Sequence, residues 1–144
     1  MKAKDIMSAK PECVTLTDTI EAAAQIMANS DCGVVPVVNT DSKNVVGILT
    51  DRDIAIRAVA RGKPSSTLVR DIMTSSVATC SSESDVADVE RTMSDRQVRR
   101  VVIVDGDECV GIISQGDIAR AAGHQRGLAH VEVAHVVERI SEAR

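Results

Sequence analysis

A mixed α/β (α+β) fold of two pseudo-symmetric β-α-β-β-α repeats, their small sheets packed face to face and a helical tail beyond them, is what this sequence predicts. Three observations lead there. The chain repeats itself: Asp5-Ile6-Met7 returns as Asp71-Ile72-Met73, Thr15 as Thr79, Met27 as Met93 and Gly47 as Gly111, at shifts of 64 to 66 residues. Each copy closes on the same unit, Gly47-Ile48-Leu49-Thr50-Asp51-Arg52-Asp53 and Gly111-Ile112-Ile113-Ser114-Gln115-Gly116-Asp117. Finally, at 144 residues and 44% hydrophobic content the chain holds one domain or two small repeats sharing a core. Neither half carries enough apolar surface to stand alone, so the halves are expected to pack on each other. The repeats are assigned to residues 1–66 and 67–123, and the tail to 124–144.

Each element follows from local pattern. Residues 4–7 make a short entry turn, and Cys13-Val14-Thr15-Leu16 a short strand. Asp18-x-x-Glu21 is a capping-box signal opening a helix to about Asn29, with Ile20, Ala23, Ala24 and Met27 on one face. The run Gly33–Val38 reads as a strand with Pro36 at an edge or bulge, where no ladder N–H is missed. Asn39–Ser42 supplies a turn, Val45–Leu49 the next strand, and Asp51–Arg61 a helix stopped by Gly62 and Pro64. Gly62–Thr67 links the halves. The second half repeats the order: a strand at Val77–Cys80, then a helix over Ser84–Arg96 with Val86, Val89 and Met93 inward. Strands at Arg100–Val104 and Cys109–Ile113 are joined by the hairpin signal Asp105-Gly106-Asp107, and a helix over Gln115–Ala122 ends at Gly123. In the tail, Val133, Val136, Val137 and Ile140 give a narrow apolar stripe, either packed on its own domain or a dimer-interface helix.

Composition excludes several functions. Net charge −4 gives no electrostatic case for a nucleic-acid partner, and the absence of Phe, Tyr and Trp removes the stacking platforms of single-strand binders. No apolar run approaches the roughly 18 residues of a membrane helix, and Met1–Asp5 lacks a signal core, so a cytoplasmic protein is expected. Cys13, Cys32, Cys80 and Cys109 lie far apart without a C-x-x-C pair and read as reduced, half-buried thiols. His124, His130 and His135 fall in the tail; no usual metal-ligand spacing occurs, although folding alone decides whether cysteines and histidines assemble a site. No catalytic triad order and no P-loop appears, so no enzyme and no required cofactor are expected.

The two closing units admit two readings. Thr50-x-x-Asp53 and Ser114-x-x-Asp117 fit the capping box, in which hydroxyl and carboxylate satisfy free N–H groups of a first helical turn. The same groups serve a ligand: a helix start attracts phosphate, the hydroxyl donates to a phosphate oxygen, and a carboxylate accepts both hydroxyls of a ribose. The preceding glycine lets backbone approach a ligand closely, or marks a bulge.

Taken together, Asp5-Ile6-Met7, Asp71-Ile72-Met73, Thr15, Thr79, Val35-Pro36-Val37-Val38, Gln97-Val98-Arg99-Arg100-Val101 and the two Gly-x-x-[Thr/Ser]-x-x-Asp units resemble tandem cystathionine β-synthase-type (CBS) domains, the Bateman module. The likeness spans residues 3–122, with no catalytic or transport domain attached, as in the stand-alone prokaryotic members. The resemblance implies clefts between the repeats for adenosine-containing ligands: AMP, ADP, ATP, NAD or S-adenosylmethionine. By position, one cleft takes Ser114 for phosphate, Asp117 for ribose and Ile112, with Thr15, Cys32, Gly33 and Val34 framing the base. The other takes Thr50, Asp53 and Ile48, with Thr79, Val98, Arg99 and Arg100. Two departures are noted: Val102 replaces the usual proline of the second repeat, and Gly33-Val34 stands where the second repeat has Arg99-Arg100. The function implied is regulatory: an adenylate sensor, expected to be a homodimer, whose change of conformation an unidentified partner protein reads. The alternative is a ligand-free structural or interaction protein whose boxes are caps only.

Overall fold

The computed structural model describes residues 1–124 of the 144, so the tail helix expected around Val133–Ile140 lies outside the described residues. The chain forms a mixed α+β fold with two small sheets, in the order α1 (Ala3–Ile6), β1 (Ser8–Ala9), β2 (Val14–Thr15), α2 (Ile20–Ser30), β3 (Val34–Val38), β4 (Val45–Thr50), α3 (Asp51–Asp53), α4 (Val69–Ile72), β5 (Thr79–Cys80), α5 (Val86–Arg96), β6 (Arg100–Asp105), β7 (Glu108–Ser114) and α6 (Gln115–His124). Two compact units result. One holds Pro11–Val77 with Asp107–Cys109; the other holds, among the described residues, Met1–Lys10, Ala78–Gly106 and 110–124. The first is called the β3–β4 unit below and the second the β6–β7 unit. Among the described residues no helix is long and apolar enough to cross a membrane.

In the β3–β4 unit the sheet order is β2-β3-β4, parallel then antiparallel. Pro36 therefore lies on the central strand and not at an edge, yet no ladder bond is lost. Its partner across β4 is Ile48, whose N–H and C=O both turn the other way to Thr74, at 2.9 Å each. The parallel register with β2 touches only Val37 and Val38, beyond the proline, and a bulge falls between those two residues. Val102 holds the corresponding place on β6, opposite Thr79, and donates its N–H to Ala78 O at 3.0 Å. Normal pairing at the position that lacks proline is what the sequence predicts.

Helix α2 starts one residue later than expected. Thr19, not Asp18, is its cap, with Oγ1 accepting from Ala22 N at 3.2 Å, while Asp18 Oδ2 accepts from Thr15 N at 2.8 Å and ties β2 to the helix start. Ile20, Ala23 and Met27 are buried, but Ala24 is exposed; Ile26 takes the contact instead, because the stripe turns toward the i+3 row. With Val14, Val35, Val37, Leu49, Ala58, Val69 and Ile72 these side chains form one core. The expected helix over Asp51–Arg61 widens to a π-helix at Ile54–Ala58, tightens to a 3₁₀ turn at Val59–Arg61 and ends on Gly62 at φ 69°.

The β6–β7 unit has sheet order β1-β7-β6-β5. Gly106 and Asp107, at φ 58° and 68°, make the two-residue turn between β6 and β7 that Asp-Gly-Asp signals. Its core gathers Ala3, Ala78, Val89, Met93, Val101, Ile103, Ile113 and Ile118; Val86 is only half-buried. Helix α6 runs through Gly123 to His124 instead of stopping at the glycine, which keeps helical backbone there.

The one buried polar side chain among the described residues, Ser82, is held by Asp105: Oγ donates to Oδ2 at 2.7 Å and the backbone N–H to Oδ1 at 3.2 Å. These bonds hold the Asp105 carboxyl below its ordinary value of 3.8. A depressed folded-state pKa stabilises fully above the ordinary value and is lost as pH falls through the lower one. Urea midpoints of wild type and Asp105→Ala are therefore expected to differ at neutral pH and to converge in acid below 3.8.

Candidate functional site

Both closing units are complete capping boxes. Thr50 Oγ1 accepts from Asp53 N at 3.0 Å, and Asp53 Oδ2 accepts from Thr50 N at 3.0 Å. In the second, Asp117 N donates to Ser114 Oγ at 3.2 Å, while Asp117 Oδ2 accepts from Ser114 N at 2.7 Å and from Ser114 Oγ at 2.9 Å. Each carboxylate thus spends one oxygen on its own helix start. The other oxygen faces an arginine: Arg57 Nε lies 3.7 Å from Asp53 Oδ1, and Arg120 Nη2 is bonded to Asp117 Oδ1. Arg57 is held on its far side by Ile72 O, Met73 O and Thr74 Oγ1 at 3.1–3.3 Å. The two arginines are residues that the sequence reading missed. Their signal was spacing: four and three residues beyond an aspartate on a helical turn, where opposite charges meet.

The glycines that open the units serve packing. A Cβ on Gly47 would meet Met73 Sδ at 2.7 Å and Thr74 O at 2.9 Å; one on Gly111 would meet Met7 Sδ, with Met7 Cγ at 2.9 Å. The repeated Asp-Ile-Met and the repeated glycine are therefore one device. Each methionine lies over the glycine of the other sequence copy, inside one compact unit. Room for a methionine, not approach of a ligand, requires glycine at these two positions.

Within the β3–β4 unit the structure brings Thr50 and Asp53 beside Gly33 and Val34. Val34 pairs with Thr50 in register, and Asp51 N donates to Gly33 O at 3.0 Å. Ile48 is half-buried on β4, Cys32 Sγ donates to Val34 O at 3.5 Å, and Thr15 ends β2 opposite Val38. Within the β6–β7 unit Gln115 N donates to Arg99 O at 2.9 Å, the counterpart of the Asp51–Gly33 bond. Gly33 and Arg99 therefore hold equivalent positions. Arg99 is exposed and Arg100 half-buried; Val98 is half-buried, Thr79 is exposed on β5, and Ile112 is 7% exposed on β7 before Ser114. Each set expected from the resemblance draws on residues of both units. Among the described residues no group of three or more His, Cys, Asp or Glu is placed to hold a metal, and His130 and His135 lie outside them.

Residues 3–59 and 69–124 each match the CBS domain family. A CBS domain-containing protein of Bacillus subtilis is 33% identical over 134 residues, 92% of this chain and 94% of its own length. Hypoxic response protein 1 of Mycobacterium tuberculosis is 35% identical over 119 residues, 82% of each chain. A solved CBS domain pair in complex with 5′-methylthioadenosine and S-adenosyl-L-methionine is 31% identical, covers 86% of this chain and 97% of its own, and superposes with a TM-score of 0.77.

Proposed function

Because the chain belongs to the CBS domain family, we propose that it is a regulatory, non-catalytic module that binds an adenosine-containing ligand and signals by a change of conformation or dimer geometry. In this reading one ligand uses Ser114 for phosphate or its equivalent and Asp117 for the ribose, with Ile112, Thr15, Cys32, Gly33 and Val34. A second uses Thr50 and Asp53 with Ile48, Thr79, Val98, Arg99 and Arg100. The related pair solved with two adenosyl compounds supports the ligand class.

The observation that carries the reading is the divided use of each aspartate. One oxygen caps the helix, and the other faces an arginine: Arg57, 42% exposed and also anchored to Ile72 O, Met73 O and Thr74 Oγ1, or Arg120, 70% exposed, against 14% and 12% for the aspartates. An ion pair to so exposed a partner contributes about 0–1 kcal/mol, whereas a bond from a ligand hydroxyl to a charged group contributes about 1.5–3 kcal/mol. A ribose diol therefore displaces the arginine at a net gain without breaking the cap. Capping and ribose binding do not compete for the same carboxylate oxygen, whereas the Ser114 hydroxyl must turn from Asp117 Oδ2 to donate to a phosphate. The complete boxes equally suit a scaffold that binds nothing, and a thermal-shift panel separates the two. Ligand at 100 times its dissociation constant stabilises by about 2.7 kcal/mol, roughly 5–10 °C for a chain of this size. With no Trp or Tyr, an added dye must report it. No shift with AMP, ATP, NAD, 5′-methylthioadenosine or S-adenosylmethionine leaves the scaffold.

The charge difference between the two sets predicts their selectivity. Arg99 and Arg100 stand where Gly33 and Val34 stand in the other copy, so ligands with more phosphates favour the set with Thr50 and Asp53. Arg99→Ala and Arg100→Ala are each expected to weaken ATP more than adenosine in calorimetric titration; equal losses for both ligands reject the assignment. A cytoplasmic homodimer belongs to the same proposal. Ile56 and Val59, exposed large apolar side chains on the helical stretch after Asp53, supply a face for it. Val59→Glu is expected to halve the mass seen by light scattering.

A further inference from the structure

We propose that Arg57 is a latch which the ribose of an adenosine ligand opens. By taking Asp53 Oδ1 from the arginine, the ligand loosens the segment Ile72–Thr74, where the other end of the arginine is held. The inference rests on the ligand reading of Asp53 given above and adds how occupancy there is passed on.

Both ends of the latch lie in the β3–β4 unit. The helix that starts at Thr50 widens to a π-helix over Ile54–Ala58, a device frequent at functional sites, and Arg57 stands inside the widened turn. On one side its Nε lies 3.7 Å from Asp53 Oδ1, within ion-pair range and beyond a hydrogen bond. On the other its Nη1 faces three acceptors: Ile72 O at 3.1 Å, and Met73 O and Thr74 Oγ1 at 3.3 Å each. The first two are carbonyls at the C-terminal end of α4, where carbonyls find no N–H within their own helix. Arg57 thus caps that helix end from a distant segment.

The grip depends on both ends. Nη1 carries two hydrogens for three acceptors, so the acceptors share them, and a long side chain gives up much rotamer freedom to stay in place. The charge of Asp53 holds the guanidinium over them. Beside this anchor, Thr74 N and O pair with Ile48 O and N at 2.9 Å each, the bridge that joins the segment to β4. Loss of Asp53 is therefore felt at Ile48 and Thr74, shortly before the chain leaves this unit at Val77. In the other copy Ser8 pairs with Ile112 as Thr74 does with Ile48. Arg120, however, stands three residues after Asp117, is 70% exposed, and among the described residues holds no carbonyl of the Met7 segment. The latch belongs to one copy.

The experiment follows amide hydrogen exchange in the full chain with and without adenosine. Adenosine is expected to speed exchange at Ile48 and Thr74 about two- to fivefold, the scale of an exposed ion pair. Val69 N, bonded to Asp18 O at the far end of α4, keeps its rate. Without ligand, Asp53→Asn reproduces the acceleration and adds nothing to Arg57→Gln, whereas Asp117→Asn leaves the Ser8–Ile112 pair as it was. In an Asp117→Asn background, Arg57→Gln is expected to tighten adenosine by a similar factor, since the competitor for Asp53 is gone. An arginine with a purely structural role would weaken binding when removed, or leave it alone. Adenosine heat with unchanged exchange at Ile48 and Thr74, or acceleration at Val69 as well, overturns the latch and leaves the ligand reading in place. No adenosine heat in the Asp117→Asn protein overturns the latch too, while the nucleotide panel above judges the wider reading separately. The wild-type exchange decides the matter even if Arg57→Gln fails to fold.

Discussion

Asp117→Ala, and independently Asp53→Ala, is expected to lower adenylate affinity by about 10- to 150-fold, the equivalent of losing about 1.5–3 kcal/mol of bonding to a charged group. Alanine also removes the cap, since Asp117 Oδ2 accepts from Ser114 N and Asp53 Oδ2 from Thr50 N, at a cost of about 1 kcal/mol in stability. The two effects separate with asparagine. Its side-chain oxygen still accepts from the same backbone N–H, so Asp117→Asn keeps most of the stability, while the charge that would hold a ribose is gone. Measuring each variant by urea unfolding and by calorimetric titration gives four numbers. Stability retained with affinity lost is the expected pattern for asparagine. Affinity unchanged in both variants would mean that the carboxylates are caps and nothing more.

The second large effect concerns the fold. Gly47→Ala is expected to destabilise by about 1–3 kcal/mol, because the added methyl meets a backbone oxygen, Thr74 O, at 2.9 Å as well as Met73 Sδ. Thr74 cannot withdraw without losing its paired bonds to Ile48 N and Ile48 O. At Gly111 the close atoms all belong to the Met7 side chain, which rearranges more readily. Double-mutant cycles therefore predict a larger compensating coupling for Gly111→Ala with Met7→Ala than for Gly47→Ala with Met73→Ala. Chemical denaturation of the four single and two double variants checks this. Equal couplings would mean that Thr74 O yields as easily as a methionine side chain.

Much of this was legible in the chain itself, because its periodicities have direct physical causes. The strand and helix pattern, the buried Ile20, Ala23 and Met27, and the hairpin at Gly106-Asp107 follow from side-chain spacing and from backbone that tolerates positive φ. The consequence of Val102 was legible too, since a residue with an N–H pairs where proline has none. What was not legible depends on contacts distant in sequence. Nothing local says that Met7 lies on Gly111, or that Met1–Lys10 joins a compact unit with residues 78–106 and not with the strands that follow it. The shift of the α2 cap from Asp18 to Thr19 has the same origin, as Asp18 is taken by Thr15 N. The widening at Ile54–Ala58 accompanies the anchoring of Arg57 to Ile72, Met73 and Thr74, again residues of another segment. The boxes were read as caps or as ligand sites, and the structure shows both caps formed. The ligand-binding use proposed for them depends on the carboxylate oxygen that faces an arginine.

That second use is tested most directly by calorimetric titration of the reduced wild-type chain with AMP, ATP, 5′-methylthioadenosine and S-adenosylmethionine, each repeated on Asp53→Asn and Asp117→Asn. Saturable heat with at least one of these compounds, weakened by removing one of the two carboxylate charges, is the predicted result. No saturable heat with any of the four, or saturable heat that neither substitution alters, would contradict it.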